Sequence, residues 1–405
     1  MSEPPPIARA SLERYADLLV GFGANVQLGQ ILEVRTELGK EHLARAVAAS
    51  AYRRGARFVD VRYFDPWHRR ARVAGADPET LEFYPSWHRG RVLQLGEQRC
   101  ARIGLSDTPV PGLLDGLDPT LASRDRFPFV PEYLSVIDDN TTNWCGAVCP
   151  TAEWASLVHP DLAPGEALAL LWEQVLHVCR LDEDDPIASW RERLEALDAA
   201  ESELNERRFD ALHFAGPGTD LTVGLLPGSR WRSGASETVD GIVFLANLPT
   251  EEAFTAPDPA RTKGVVRSTR PLQLRSGVLV RDLVVRFEGG RAVQVDASTG
   301  VEALRGVLAR DEGAARLGEV ALVDRGGRVG TLDTVFYFTL LDENAASHVA
   351  FGNAYAETVD EGERERANSS SIHVDFMIGG DDVQVDGLTR GGERVPVLRA
   401  GSWQI

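Results

Sequence analysis

Carboxylates and imidazoles crowd into the last third of this 405-residue chain. They stand in NLPTEEAFTAP (Glu251, Glu252), LGEVALVD (Glu319), LDENAASHVAFGNAYA (Glu343, His348, Tyr355) and SSSIHVDFMIG (His373, Asp375). The chain holds only eight histidines, so two of them inside short acidic, glycine-punctuated segments invite a metal reading. In SIHVDFMIG, Ile372, Val374 and Phe376 alternate with His373, Asp375 and Met377. Residues two apart on a strand share a face, so this imidazole and carboxylate would project together. Glu319 opens the apolar strand EVALVD, where burying a carboxylate demands a cation or donors. Each segment alone has a bland account: a buried histidine bonded to its aspartate, a solvated Glu-Glu loop, a plain turn around Tyr355. Their conjunction in one part of the chain does not.

Glu252, Glu319, Glu343, His348, His373 and Asp375 together offer more ligands than one tetrahedral ion uses. Carboxylates bridge, so the reading is two divalent ions about 3.5–4 Å apart. Oxygen-rich ligation without cysteine suits Zn or Co, with Mn or Mg as alternatives, more than a structural zinc. Such a pair polarises a carbonyl, activates a water and binds a free amine.

Two kinds of scaffold are expected to position these groups. The first half alternates strand and helix: VQLGQILEVR, then GKEHLARAVAASAYRRG with Leu43, Val47 and Ala51 on one face and Gly55 as its stop, then ARFVDVRYFD. That βαβ unit predicts an α/β N-terminal domain with a parallel sheet. From Trp154 to Arg208 the spacing is helical. After His213 come short β runs: TDLTVGLL, GIVFLANLP, GVLVRDLVVRFEGGRAVQVDA, VALVDRG, TVFYFTLLDEN, IHVDFMIG and DVQVDG. Turns such as EGGR and DRGGR make this a mainly antiparallel β (α+β) C-terminal domain carrying the metal site, interrupted by the helical ALRGVLARDEGAARLGE. The boundary is placed near 205–212, giving domains 1–208 and 209–405. GFGANV has Val26 where a dinucleotide fingerprint needs its third glycine, so it is read as turn chemistry. His177 is expected to be a satisfied core histidine.

Composition limits the partners. An apolar fraction of 43% and a charged fraction of 26% describe a folded chain. The formal charge of −18 would repel phosphate backbones, which argues against nucleic acid and welcomes a cationic substrate end. Lysine occurs only at Lys40 and Lys263, a skew given no functional weight. No secretory signal or membrane-length apolar run is read, so no membrane partner is expected. Cys100, Cys145, Cys149 and Cys179 are expected to be reduced, buried thiols, in keeping with a cytoplasmic chain.

GTDLTVGL, NLPTEEAFTAP, VRSTRPL, ENAASHVAFGNAY and IHVDFMIG, in this order, resemble the thermophilic aminopeptidase family typified by aminopeptidases T and S. The similarity extends to the N-terminal GQILEVR and to LNERRFDALHFAGPGTDL. The resemblance implies a cytosolic, homodimeric, dimetal aminopeptidase acting on peptides with a free N-terminus. Glu252, Glu319, His348, His373 and Asp375 match its ligand positions, Glu319 as the bridge, and Glu343 matches a ligand or a neighbouring group. Tyr355 matches a tyrosine that hydrogen-bonds the tetrahedral intermediate. Ala253 departs from the usual valine, and Asn353 and Ala356 lie where the family varies; none removes a ligand. Glu251 is read as general base beside Glu252, taking the attacking water's proton. The competing readings are a dimetal esterase or phosphatase, kept open by Arg267 and Arg270, and a non-catalytic acidic binding protein.

Overall fold

A computed structural model describes residues 5–105, 108–125, 130–274 and 276–405. Two compact units emerge: Met1–Glu192 with Ala235–Thr250, and Arg193–Gly234 with Glu251–Ile405.

The first unit is built on a parallel sheet. Its strands are β1 (Ile31–Glu37), β2 (Phe58–Phe64), β3 (Ala101–Leu105), β4 (Trp144–Ala147) and the short Asn247–Leu248, which lie in the order Asn247–Leu248, β4, β3, β1, β2. Helix Glu41–Arg53 connects β1 to β2, burying Leu43, Val47 and Ala51. It ends before Gly55, whose φ of 84° suits a residue without a Cβ. The expected βαβ unit is therefore present, with β1 and β2 paired in parallel. Helices Ala152–Val158, Pro164–Val178 and Pro186–Arg207 occupy the stretch whose spacing is helical.

The second unit joins two antiparallel sheets over one core. Eight strands form the larger sheet, in the order Arg291–Asp296, Val284–Glu288, Pro257–Arg267, Thr219–Leu225, Ala211–Gly216, Gln384–Leu388, Arg394–Arg399, Ser402–Trp403. The smaller runs His373–Met377, His348–Gly352, Leu317–Val323, Glu252–Thr255, Arg232–Ser233. Val285 and Phe287 alternate inward from the first, and Val320, Leu322, Val349, Phe351 and Phe376 from the second, into a single apolar cluster. Phe351 stacks on Phe287 and Phe376, at ring separations of 5.9 and 5.0 Å.

Four details differ from the sequence reading, each for a local reason. GIVFLANLP does not join the two large antiparallel sheets: Val243–Leu245 makes a small antiparallel pair with Ala235–Glu237, Asn247 and Leu248 pair in parallel with Gly146 and Ala147, and Ala235–Thr250 belongs to the first unit. A short apolar run carries no signal that separates parallel from antiparallel pairing. The division between units falls after Glu192, within helix Pro186–Arg207, rather than at 208. TVFYFTLLDEN is not a strand, because the buried Asp342 carboxylate accepts the Phe336 and Phe338 N–H groups at 3.0 and 3.1 Å, and Tyr337 turns to φ 54°. His177 is half-buried, its Nδ1 2.7 Å from the Asp182 carboxylate beyond the helix end. GFG, by contrast, stays structural, closing the first helix in a π-turn at Leu19–Gly23.

One irregularity in the smaller sheet decides where Glu319 points. Leu317 lies opposite Phe351 while Glu319 lies opposite the preceding residue, Ala350, so Gly318 is an extra residue in its strand. Leu317 consequently enters the core and Glu319 emerges on the other face. A Cβ on Gly318 would stand 2.3 and 2.4 Å from the carbonyl oxygens of Gly352 and Asn353, so no other residue fits. Gly318→Ala should lose about 1–3 kcal/mol by overpacking against backbone. Gly306→Ala, in helix Val301–Leu308 with nothing within 4 Å of the added methyl, should gain about 0.5–1 kcal/mol. Urea midpoints at unchanged slope measure both.

Candidate metal centre

Strand parity assembles the centre. Opposite His373, Asp375 and Met377 stand Gly352, Ala350 and His348. Ala350 and His348 in turn face Glu319 and Ala321, and Ala321 and Val323 face Phe254 and Glu252. Glu252, Phe254, Glu319, His348, His373 and Asp375 therefore share one face of the sheet, with Ala321, Ala350 and Gly352 among them and Val323 and Met377 beside Glu252 and His348. The intervening residues, Ala253, Val320, Leu322, Val349, Phe351 and Phe376, enter the core behind them. Four strands thus gather residues that lie far apart in sequence.

Two triads result, Glu252–Glu319–His348 and Glu319–His373–Asp375, each with its ligand atoms within 4.8 Å of one another. Glu319 belongs to both and divides its oxygens between them: Oε1 is 3.3 Å from His348 Nε2, and Oε2 is 3.6 Å from His373 Nε2. His348 Nε2 is also 3.1 Å from Glu252, and His373 Nε2 is 3.3 Å from Asp375. Behind each ring a backbone carbonyl takes the other nitrogen, Ala346 O at 3.2 Å from His348 Nδ1 and Asn353 O at 2.8 Å from His373 Nδ1. A carbonyl only accepts, so Nδ1 carries a proton, and Nε2 is the nitrogen turned to the carboxylates, the one that would ligate a metal once its own proton is displaced.

The electrostatics are those of a site short of cations. Glu252, Glu319 and Asp375 are 8, 5 and 9% exposed, and His348 is 1% exposed. Burial opposes charge on both imidazoles, yet their carboxylate neighbours raise His348 well above its ordinary range and His373 to about 9. Burial, with Asp375 and Glu252 nearby, raises Glu319. Asp375 goes down despite burial, because His373 faces it. Glu252 Oε2 is buried with no hydrogen-bond partner. An orphaned carboxylate oxygen facing an imidazole nitrogen, in an oxygen-rich set with no thiolate, fits a divalent ion.

The remaining residues singled out by sequence divide. Glu343 begins the 3₁₀ turn Glu343–Ala345 and feels Asp375, Glu252 and Glu319, which after burial push its carboxyl well above the carboxylate range, but it belongs to neither triad. Tyr355 sets its ring 4.9 Å from that of His373 and 6.1 Å from Phe254, and burial with the same carboxylates raises its hydroxyl. Glu251 is fully buried, and Arg193 Nε donates to its Oε2 at 2.5 Å. The free carboxylate expected beside Glu252 is thus engaged, because neighbours on an extended segment point opposite ways. Arg270 donates to Thr334 O at 2.6 Å and lies 3.4 Å from Asp342, and Arg267 stands 3.5 Å from Asp282. Sequence reasoning missed Phe254, which parity with Glu252 reveals, and Arg193, whose helix reads as an ordinary charged surface.

Comparison with known proteins likewise points to metal-dependent chemistry. Residues 8–403 match the family described as Thermophilic metalloprotease (M29). Aminopeptidase T of Thermus aquaticus is 42% identical over 98% of both chains, and aminopeptidase 2 of Geobacillus stearothermophilus is 37% identical over 97% of both. The solved structure of wild-type AmpT from Thermus thermophilus superposes with a TM-score of 0.89 at 42% identity, covering 98% of this chain and 100% of that one. With residues 8–403 matched and 42% identity to aminopeptidase T over 98% of its length, the chain belongs to the thermophilic metalloprotease family M29.

Proposed function

We propose that this chain is a metallo-aminopeptidase that releases N-terminal residues from peptides. The observation that carries the finer reading is the split of Glu319 between two histidines, which supports two divalent ions, one held by Glu252, Glu319 and His348 and the other by Glu319, His373 and Asp375. Zn or Co suits the mixed nitrogen and oxygen donors, with Mn or Mg as alternatives. Bound there, such ions supply Lewis acidity and a water activated at neutral pH. Carboxylates around the centre favour a substrate's α-ammonium, which supports selection of free N-termini. The hydroxyl of Tyr355, whose ring lies against that of His373, is assigned to the developing oxyanion.

Proton transfer is assigned to Glu343 rather than Glu251. Glu343 is the carboxyl that feels both triads and belongs to neither, whereas Glu251 is held by Arg193. Arg270 and Arg267 are paired elsewhere, which leaves the esterase or phosphatase reading without a guanidinium assigned to the centre. The four buried free thiols support a reducing, cytoplasmic setting, and among the described residues no helix is long and apolar enough to cross a membrane. Homodimerisation rests on the family resemblance and is supported by Trp67, Phe83 and Trp87, which are 54, 64 and 70% exposed.

Chelation should abolish hydrolysis of an amino-acid anilide, and Zn²⁺ or Co²⁺ should restore it; equal turnover of the N-acetylated anilide would sink the exopeptidase reading. Elemental analysis should find two ions per wild-type chain, one in Asp375→Asn and fewer than one in Glu319→Gln; equal losses in the two variants would remove the bridging role. Glu343→Gln should lower kcat about 10²- to 10⁴-fold at unchanged metal content. A parallel loss of metal would make Glu343 a ligand instead.

A further inference from the structure

Glu251 and Asp324 lie just beyond Glu252 and Val323, the pair at which the Glu252–Thr255 strand begins and the Leu317–Val323 strand ends. Two carboxylates gathered around one point repel, and Glu251 is fully buried. Arg193 resolves the conflict. Its Nε donates to Glu251 Oε2 at 2.5 Å and its Nη2 to the Glu251 carbonyl at 3.3 Å. The same fork reaches Asp324, with Nη2 at 2.5 Å from Oδ1 and Nη1 at 3.4 Å from Oδ2. Burial works against the guanidinium's charge, and the two carboxylates more than offset it. Asn344 adds a further tie, its Oδ1 accepting the Glu251 N–H at 2.6 Å.

The DRGGR turn is shaped around this clamp. A Cβ at Gly326 would come within 2.9 Å of Arg193 Nη1, and one at Gly327 within 3.3 Å of the Glu251 side chain. Both glycines leave room for a planar fork that one lysine ammonium cannot copy.

We propose that Arg193 is a positioning residue for the metal centre: by fastening Glu251 to Asp324 it fixes the strand end from which Glu252 reaches the Glu252–Glu319–His348 triad. The assignment rests on the two-ion reading above. Glu252 Oε2 faces His348 Nε2 at 3.1 Å, a group of the same triad, so it is the backbone beneath Glu252 that ties it to the rest of the fold. Glu319 stands five residues before Asp324 on the strand that the clamp ends, whereas His373 and Asp375 lie on an edge strand paired with His348–Gly352 and separated by two strands from Glu252–Thr255.

Co²⁺ titration of the metal-free full-length protein tests the proposal, with equilibrium dialysis giving affinity and the visible d–d absorption reporting the geometry of each site. Wild type should take up two equivalents. In Arg193→Met one equivalent should bind about 10- to 100-fold more weakly, with altered absorption, while the other keeps its wild-type affinity and spectrum. Arg193→Lys should fall between, and it is read by the same criteria if Arg193→Met does not fold. Both equivalents binding with wild-type affinity and spectrum, even with a lowered urea midpoint, would make Arg193 a stability residue only and overturn the proposal. A wild type that binds one equivalent overturns the two-ion reading instead, and the dependence of that one affinity on residue 193 then decides the positioning role.

Discussion

Negative charge is concentrated on one face of a small sheet and withdrawn from water, and nearly everything in the second unit answers to that. Carboxylates a few ångströms apart in a medium of low polarity repel strongly, and each loses its hydration besides. Such a group survives only if cations or protons stand among its members and the scaffold cannot relax. The back of the same sheet supplies the rigidity: Phe351 and Phe376 stack there, and Val320, Leu322 and Val349 fill the gaps of one continuous core. The imidazoles are pinned through their far nitrogens to backbone carbonyls, which removes ring rotation as an escape. Apolar packing thus stabilises an arrangement that its own electrostatics would otherwise open.

Parity explains which parts of this were legible in the chain. His373 and Asp375 share one short strand, so their common direction followed from a spacing of two. The α/β character of the first half followed equally directly, since strand, helix and strand are each marked by their own period and by Gly55. Convergence of four strands was not legible, because periodicity within a strand says nothing about its neighbours. Glu251 illustrates the reverse case. Its adjacency to Glu252 suggested a shared task, whereas adjacency on extended backbone separates two side chains, and Arg193 receives the one turned away.

Other departures share a single cause, a local interaction stronger than the intrinsic preference. Phe336 and Phe338 belong to residue types that favour strands, yet the Asp342 carboxylate takes both of their amides and leaves nothing for a ladder. Asn247 and Leu248 are too few to declare a direction of pairing, and β4 decides it for them. Arg193 lies on a helix in which many charges meet solvent, so a guanidinium set between the buried Glu251 carboxylate and that of Asp324 carries no distinct pattern in the sequence.

The extra residue at Gly318 has a further meaning for how this sheet stores its chemistry. It acts as a phase shift: before it, odd-numbered residues of the strand belong to the oily side, and after it they belong to the acidic one. The hydrophobic code and the ligand code are thereby written in different frames along seven residues, Leu317–Val323. Because the junction admits no side chain at all, the two frames cannot drift relative to each other by gradual substitution. A position that seems empty of information is the one that keeps the acid pointing outward.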